Sequence, residues 1–194
     1  MLLAAGWGVT VQGGVQVTTY NFYLKDRGTH APGTWGEGDC YMVGTYLAEF
    51  FDEICQLPSC PFSTSDFWWD PTSISNTDLL IYFIDSKVDS LIHKIKPRTP
   101  LGGGGTTHIS SAGNLSEVYI AAASSAADSA KALAVLAFHE AMHNLLKRGN
   151  DLHAMGGMGL AAATVFPNSK LTQRNKELMA AAMGKNIPQN QSFL

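Results

Sequence analysis

The stretch "FHEAMHNLLKRGNDLHAMGGMG", residues 138–159, gathers three histidines, a glutamate and an aspartate within fifteen positions. His139 and His143 are four residues apart in a strongly helical run. At 3.6 residues per turn, that spacing stacks both imidazoles on one helix face, where they can share a metal ion. Glu140 lies one residue on, about 100° around the axis. From there it can reach the same cavity and serve as a base toward water polarised by the ion. With six His and six Glu in 194 residues, this pattern arises by accident in about half a percent of such chains. The flanks "ALAVLAF" and "LL" mark an interior helix, where imidazoles and a carboxylate without a purpose would carry several kcal/mol of desolvation. Metal binding is the expectation. Zn2+ suits imidazole with a nearby carboxylate, and a catalytic zinc takes three protein ligands.

The third ligand is open at this point. "HEAMH" is similar to the signature of the zincin metallopeptidases, and the order of elements resembles the metzincin clan in particular. That resemblance implies an early helix, a sheet, an active-site helix after the last strand, a turn assisted by glycine, a third ligand, a methionine turn and a C-terminal helix. In the clan's pattern a glycine follows the second histidine by three residues and the third ligand by six. Here those positions hold Leu146 and Gly149, so the glycine comes about one helical turn late. Gly149 is then expected to take the left-handed turn that ends the helix, with Lys147 and Arg148 suiting its C-terminal dipole. His153 is the favoured third ligand and Asp151 the alternative, the unused one orienting a ligand. Glu177, on the last helix, would be the ligand in a gluzincin arrangement; otherwise it is a solvated charge. Met158 in "GGMG", or Met155, would form the methionine turn, unless they only fill the core. The tyrosine that some metzincins place after that turn is missing, since no Tyr follows Tyr119. Arg174 and His108 are the remaining candidates to stabilise an oxyanion. His30 and His93 read as structural.

Several elements must position these groups. "WGVTVQGGVQVTTYNFYL" alternates β-formers around residues 13–14 and reads as a hairpin or two short strands. "CYMVGTYLAEFFDEICQL" repeats Met42, Tyr46, Leu47, Phe50, Phe51 and Ile54 at helical spacing, and Pro58 and Pro61 stop it. "SCPFSTSDFWWDPTSIS" reads as an irregular loop anchored by aromatics at 67–69. "TDLLIYFIDSKV" is the clearest buried strand, and "SEVYIAAAS" is another. "KPRTPLGGGGTTHISSAGN" reads as a glycine-rich surface excursion. It lacks the Lys-Ser/Thr and following helix of a phosphate-binding loop. A long helix over about residues 125–148 carries the motif, and "LTQRNKELMAAAM" forms a last helix. The expected architecture is α+β: a small twisted, mostly β N-terminal sheet with a backing helix, the long HExxH helix, and a C-terminal helix. Residues 1–194 form a single catalytic domain, without internal repeats.

Composition narrows the function. Hydrophobic residues make up 45% and charged residues 15%, a globular balance. A net charge of −3 gives no basic field overall for nucleic acid. No run reaches the roughly 18 apolar residues of a membrane span, and the N-terminus lacks the basic start of a secretory signal. Cys40, Cys55 and Cys60 are an odd set; "CQLPSC" would close a small disulfide in an oxidising compartment, and otherwise holds two thiols. The leading expectation is a zinc metallopeptidase acting on protein or peptide substrates, with Glu140 as general base. The alternatives are a zinc amidase acting on cell-wall peptides, and a non-catalytic zinc-binding module. A delivered bacterial toxin domain would bring an inhibitor or immunity protein as partner.

Overall fold

The computed structural model describes residues 10–12, 15–30, 35–156 and 158–194. β1 (Thr10–Gln12) and β2 (Val15–Val17) form a short antiparallel pair, as the alternation predicts; residues 13–14 lie outside the described set. The main sheet is built from β3 (Thr19–Asp26), β4 (Thr64–Trp69), β5 (Leu79–Ile84), β6 (Gly105–His108) and β7 (Leu115–Tyr119). Their order is β4-β3-β5-β7-β6. All neighbours are parallel except β6, which runs antiparallel to β7 at one edge.

The central strand β5 is buried along its whole length, as a strand covered on both faces must be. Leu79, Ile81 and Phe83 face one core, with Phe22, Leu24 and Val118. α1 (Glu37–Cys55) and α3 (Ser129–Leu146) pack on that side through Val43, Leu47, Phe51, Phe138 and Met142. Leu80, Tyr82 and Ile84 face a smaller core, covered by α2 (Leu91–Ile95) and by Phe193 and Leu194 of the C-terminal tail. α4 (Asp151–Gly156) and α5 (Gln173–Ala180) complete the chain. The architecture is α+β, a five-stranded, mostly parallel sheet backed by helices.

Four local expectations need correction. "TSDFWW" is a strand rather than a loop, because its half-exposed edge position lets Asp66 and Trp68 occupy the outward pleat, while Ser65 Oγ bonds Asp52 on α1. Residues 105–108 of the glycine-rich segment form the other edge strand, too short to show a period. In α1 the inward face is Val43, Leu47, Phe51 and Ile54, while Met42 is largely exposed. Finally, α3 ends at Leu146 and its left-handed residue is Lys147, with φ 52° and ψ 45°. Gly149 does not take the turn. Cys40, Cys55 and Cys60 are all free thiols, and burial together with the nearby Cys60 raises the Cys55 thiol.

Candidate metal centre

α3 begins at a capping aspartate, Asp128, whose carboxylate accepts from the Lys131 N–H at 2.9 Å. Its rotation is set by a buried amide network. Asn144 Nδ2 donates to Ser116 Oγ on β7 and to Gln189 Oε1 in the C-terminal tail, both at 2.9 Å. Asn114 Nδ2 donates to the Asn144 carbonyl at 2.9 Å. Each polar group in this interior is paired, so rotating the helix would orphan several at once. This network holds His139, Glu140 and His143 toward the sheet edge at β6.

The Lys147 turn then does specific work. Arg148 N–H donates to the His143 carbonyl at 3.1 Å, and the His143 Nδ1 lies 2.8 Å from the Arg148 carbonyl. A left-handed non-glycine costs roughly 1 kcal/mol, and here it returns a backbone acceptor to a histidine ring. α4 follows at once, anchored by the buried Leu152, and presents His153. Asp151 points elsewhere: it forms a surface ion pair with Arg148 at 2.9 Å. Of the two alternatives for a third ligand, His153 is the one the structure brings beside His139 and His143.

Each of the three rings is oriented through its Nδ1. His139 Nδ1 is 2.7 Å from the Leu160 carbonyl, His143 Nδ1 is 2.8 Å from Arg148, and His153 Nδ1 is 2.9 Å from the Ala161 carbonyl. A carbonyl only accepts, so each Nδ1 must carry the hydrogen, and each Nε2 is left with a bare lone pair. These lone pairs converge. His139 and His143 Nε2 lie 3.1 Å apart, and the ligand atoms of all three rings lie within 4.8 Å of one another. Neutral imidazoles facing one another this way repel unless a cation sits between them. Bonds of about 2.05 Å at the tetrahedral angle put two zinc-bound nitrogens about 3.3 Å apart, close to the observed separation. The three histidines could hold a metal ion.

Backbone behind the rings is itself braced. Gly159, at φ +67°, brings the chain so close that an added Cβ would meet the Lys170 carbonyl at 2.4 Å. Asn175 Oδ1 on α5 accepts the Leu160 N–H at 3.2 Å, fixing the carbonyl that orients His139. Burial pushes the His139 imidazole down to about 4, helped by the neighbouring rings, and lowers that of His143. Both are thereby kept neutral, the form that binds metal.

Glu140 is buried, and burial raises its carboxyl to about 8; a hydrogen bond from Thr107 opposes this rise, and the charge of Glu117 adds to it. Thr107 Oγ1 donates to Glu140 Oε2 at 2.7 Å from the edge strand β6. Gly105 makes this approach possible. A Cβ there would lie 2.8 Å from Glu140 Cγ and 2.7 Å from the Glu117 carbonyl. Glu117 is fully buried and accepts from Ser90 Oγ, from Tyr119 Oη at 2.8 Å, and from the Leu91 N–H at 2.8 Å. It ties the start of α2 to β7. Sequence reasoning missed Gly105 and Thr107, because the glycine-rich segment gave no sign that it folds back against α3, and Glu117, because its partners Ser90 and Leu91 lie 27 and 26 residues away.

The rings and Glu140 open into one cleft of about 700 Å³, walled by residues 102–107, Leu136 and residues 163–165. An apolar hollow adjoins it, sharing Gly103, Gly104, Leu136 and Val165. Other sequence candidates fall outside. Met158 is 73% exposed, and the contacts to the rings from that part of the chain are the Leu160 and Ala161 carbonyls. Glu177 and Arg174 are exposed on α5 and lie near each other. His108 is half-buried at the end of β6 and does not line the cleft. His93 is exposed, and His30 is bound between Asp26 and Asp85 at the ends of β3 and β5.

No family model, curated protein or solved structure matches this chain. The site therefore has to be read from its own chemistry. Among the described residues, no helix is long and apolar enough to cross a membrane.

Proposed function

We propose that this chain is a zinc-dependent peptidase, similar in its chemistry to the zincins, with His139, His143 and His153 as metal ligands and Glu140 as general base. One observation carries the reading: three imidazoles, each held through Nδ1 by a backbone carbonyl, bring their ligand atoms within 4.8 Å of one another beside a buried glutamate. Three imidazoles facing an open cleft would suit zinc better than harder cations, and that openness favours catalysis over a closed structural site. When bound, zinc would act as a Lewis acid toward the scissile carbonyl and make water easier to deprotonate.

The chain's own residues do the rest. Glu140 takes the proton of the attacking water and returns it to the departing amine. Its raised pKa in the metal-free site suits a group that must both accept and release a proton near neutrality. The Thr107 hydroxyl fixes which carboxylate oxygen is occupied, leaving the other for the water. Leu136 and Val165 line the apolar hollow, which takes a substrate side chain and excludes water. β6 is an edge strand whose outer backbone groups suit an extended polypeptide. That edge favours a polypeptide over a small amide. A purely structural zinc needs no general base, which argues against the binding-module alternative.

The test is a Glu140→Gln variant assayed with zinc present. It should keep zinc and lose hydrolysis of an unfolded protein such as casein by about 10²–10⁴-fold. Unchanged hydrolysis in the variant would overturn the assignment of the base. Wild-type protein that cuts cell-wall peptides but no polypeptide would move the assignment to the amidase alternative.

A further inference from the structure

The chain carries −3 overall, yet residues 87–98, "KVDSLIHKIKPR", hold four of its thirteen Lys and Arg and one of its sixteen acids. This segment has a net charge of +3, against nine cations and fifteen acids, net −6, in the remainder. Lys94, Lys96 and Arg98 are all exposed. No carboxylate lies within ion-pair distance of any of them among the described residues. The one acid, Asp89, is turned back onto Ser86 Oγ at 2.7 Å. Unpaired exposed lysines are ordinarily scattered and solvated; these are concentrated on one short stretch.

Its position gives the concentration meaning. Residues 95–100 line an open hollow of about 510 Å³ that shares Thr99 and Pro100 with the wall of the metal cleft. Lys87 Nζ donates to the Leu101 carbonyl at 2.8 Å, tying the start of the segment to that wall. Lys96 lies near enough to the edge strand that, after burial, its charge is the second cause lowering the His108 imidazole. The cleft thus has two neighbouring hollows, one beside Leu136 and Val165 and one beyond Pro100 whose rim carries Lys96 and Arg98.

We propose that Lys94, Lys96 and Arg98 form a subsite for acidic side chains of a polypeptide lying in the cleft. This rests on the peptidase reading for the cleft itself, and adds a substrate class: sequences with a carboxylate cluster on one side of the bond to be cut. Lysine and arginine heads on a strip shared with the cleft wall attract such a segment by charge, and within about 10 Å at 0.1 M salt they do so without forming a fixed pocket.

The experiment measures binding and cleavage separately. Fluorescent peptides of one core sequence, flanked on either side by Glu-Glu-Glu, Gln-Gln-Gln or Lys-Lys-Lys, are titrated against the full-length Glu140→Gln chain by anisotropy. The expected result is about tenfold tighter binding of one Glu-flanked peptide than of its Gln counterpart at low salt, fading in 0.5 M NaCl. A Lys94→Glu/Lys96→Glu/Arg98→Glu variant, its folding checked by circular dichroism, should lose that preference or reverse it. Equal binding of all flanks would overturn the subsite, as would a preference that survives the triple variant. An oligonucleotide that binds this strip more tightly than the acidic peptide would also overturn it. If the acidic preference appears but wild-type protein cuts none of the peptides, the subsite stands and the peptidase reading falls.

Discussion

At the scale of single residues, the site is governed by which nitrogen of each histidine carries its proton. Three backbone carbonyls decide that: Arg148 in the turn after α3, and the adjacent Leu160 and Ala161. Replacing His153 with Ala should lower zinc affinity by at least about 100-fold, as loss of one of three protein ligands does more than loss of an orienting partner; a competition assay with a chromophoric chelator reads this. Asp151→Ala should leave affinity within a few-fold, since that carboxylate is spent on Arg148. Thr107→Val tests the base from the other side. The hydroxyl donates to the ionised carboxylate and favours it, so its loss raises the Glu140 pKa. Zinc content should stay constant, kcat/KM should fall about tenfold, and the acidic limb of the pH–rate profile should move to higher pH. A profile that does not move would show that Thr107 only packs. His139, Glu140 and His143 were legible in the sequence because helical spacing alone makes them neighbours. Thr107 was not, since its meeting with Glu140 spans 33 residues and depends on the fold.

Among the elements, α3, β6 and the turn after α3 position the chemistry. The long helix and the central strand were readable from periodicity and unbroken hydrophobicity. Both edge strands were missed, β6 because four residues are too few to show a period and β4 because Trp68 points outward beside the inward Phe67 and Trp69 and hides the alternation. The helix end was misplaced because glycine is the usual left-handed residue, whereas here Lys147 is held in that conformation by the hydrogen bonds it makes possible with His143. The close contact between β6 and α3 makes a sharp prediction. Gly105→Ala places a methyl against the Glu117 carbonyl and Glu140 Cγ, and the backbone on one side must shift. Urea unfolding should show a loss of about 1–3 kcal/mol, with a fall in activity larger than that of an equally destabilised variant remote from the cleft. Asn144→Leu should cost about 2–3 kcal/mol, because the buried Gln189 amide and Ser116 Oγ would lose the bonds they make to the Asn144 side chain.

For the whole molecule, the site couples stability to pH and metal. In the metal-free protein, burial pushes the folded His139 imidazole down to about 4 from its ordinary 6.5 and lowers that of His143 too. The unfolded chain binds those protons more readily, so stability falls as pH drops below about 6.5. Glu140 works in the opposite sense: burial raises its folded carboxyl to about 8 from the ordinary 4.5, and stability falls as pH rises from 4.5 through 8. Thermal unfolding of the metal-free protein should therefore show a maximum near pH 6.5, with an alkaline loss on the order of 2 kcal/mol by pH 8. Zinc should raise the Tm and flatten that alkaline slope, because a nearby divalent cation favours the carboxylate. The central claim is that three converging imidazoles form a metal site, and metal analysis of the full chain, purified without chelators and compared with His143→Ala, tests it most directly. The account predicts close to one zinc per wild-type chain and almost none in the variant. Wild-type protein that remains metal-free even after incubation with zinc, or a variant that retains zinc at the same stoichiometry, would contradict it.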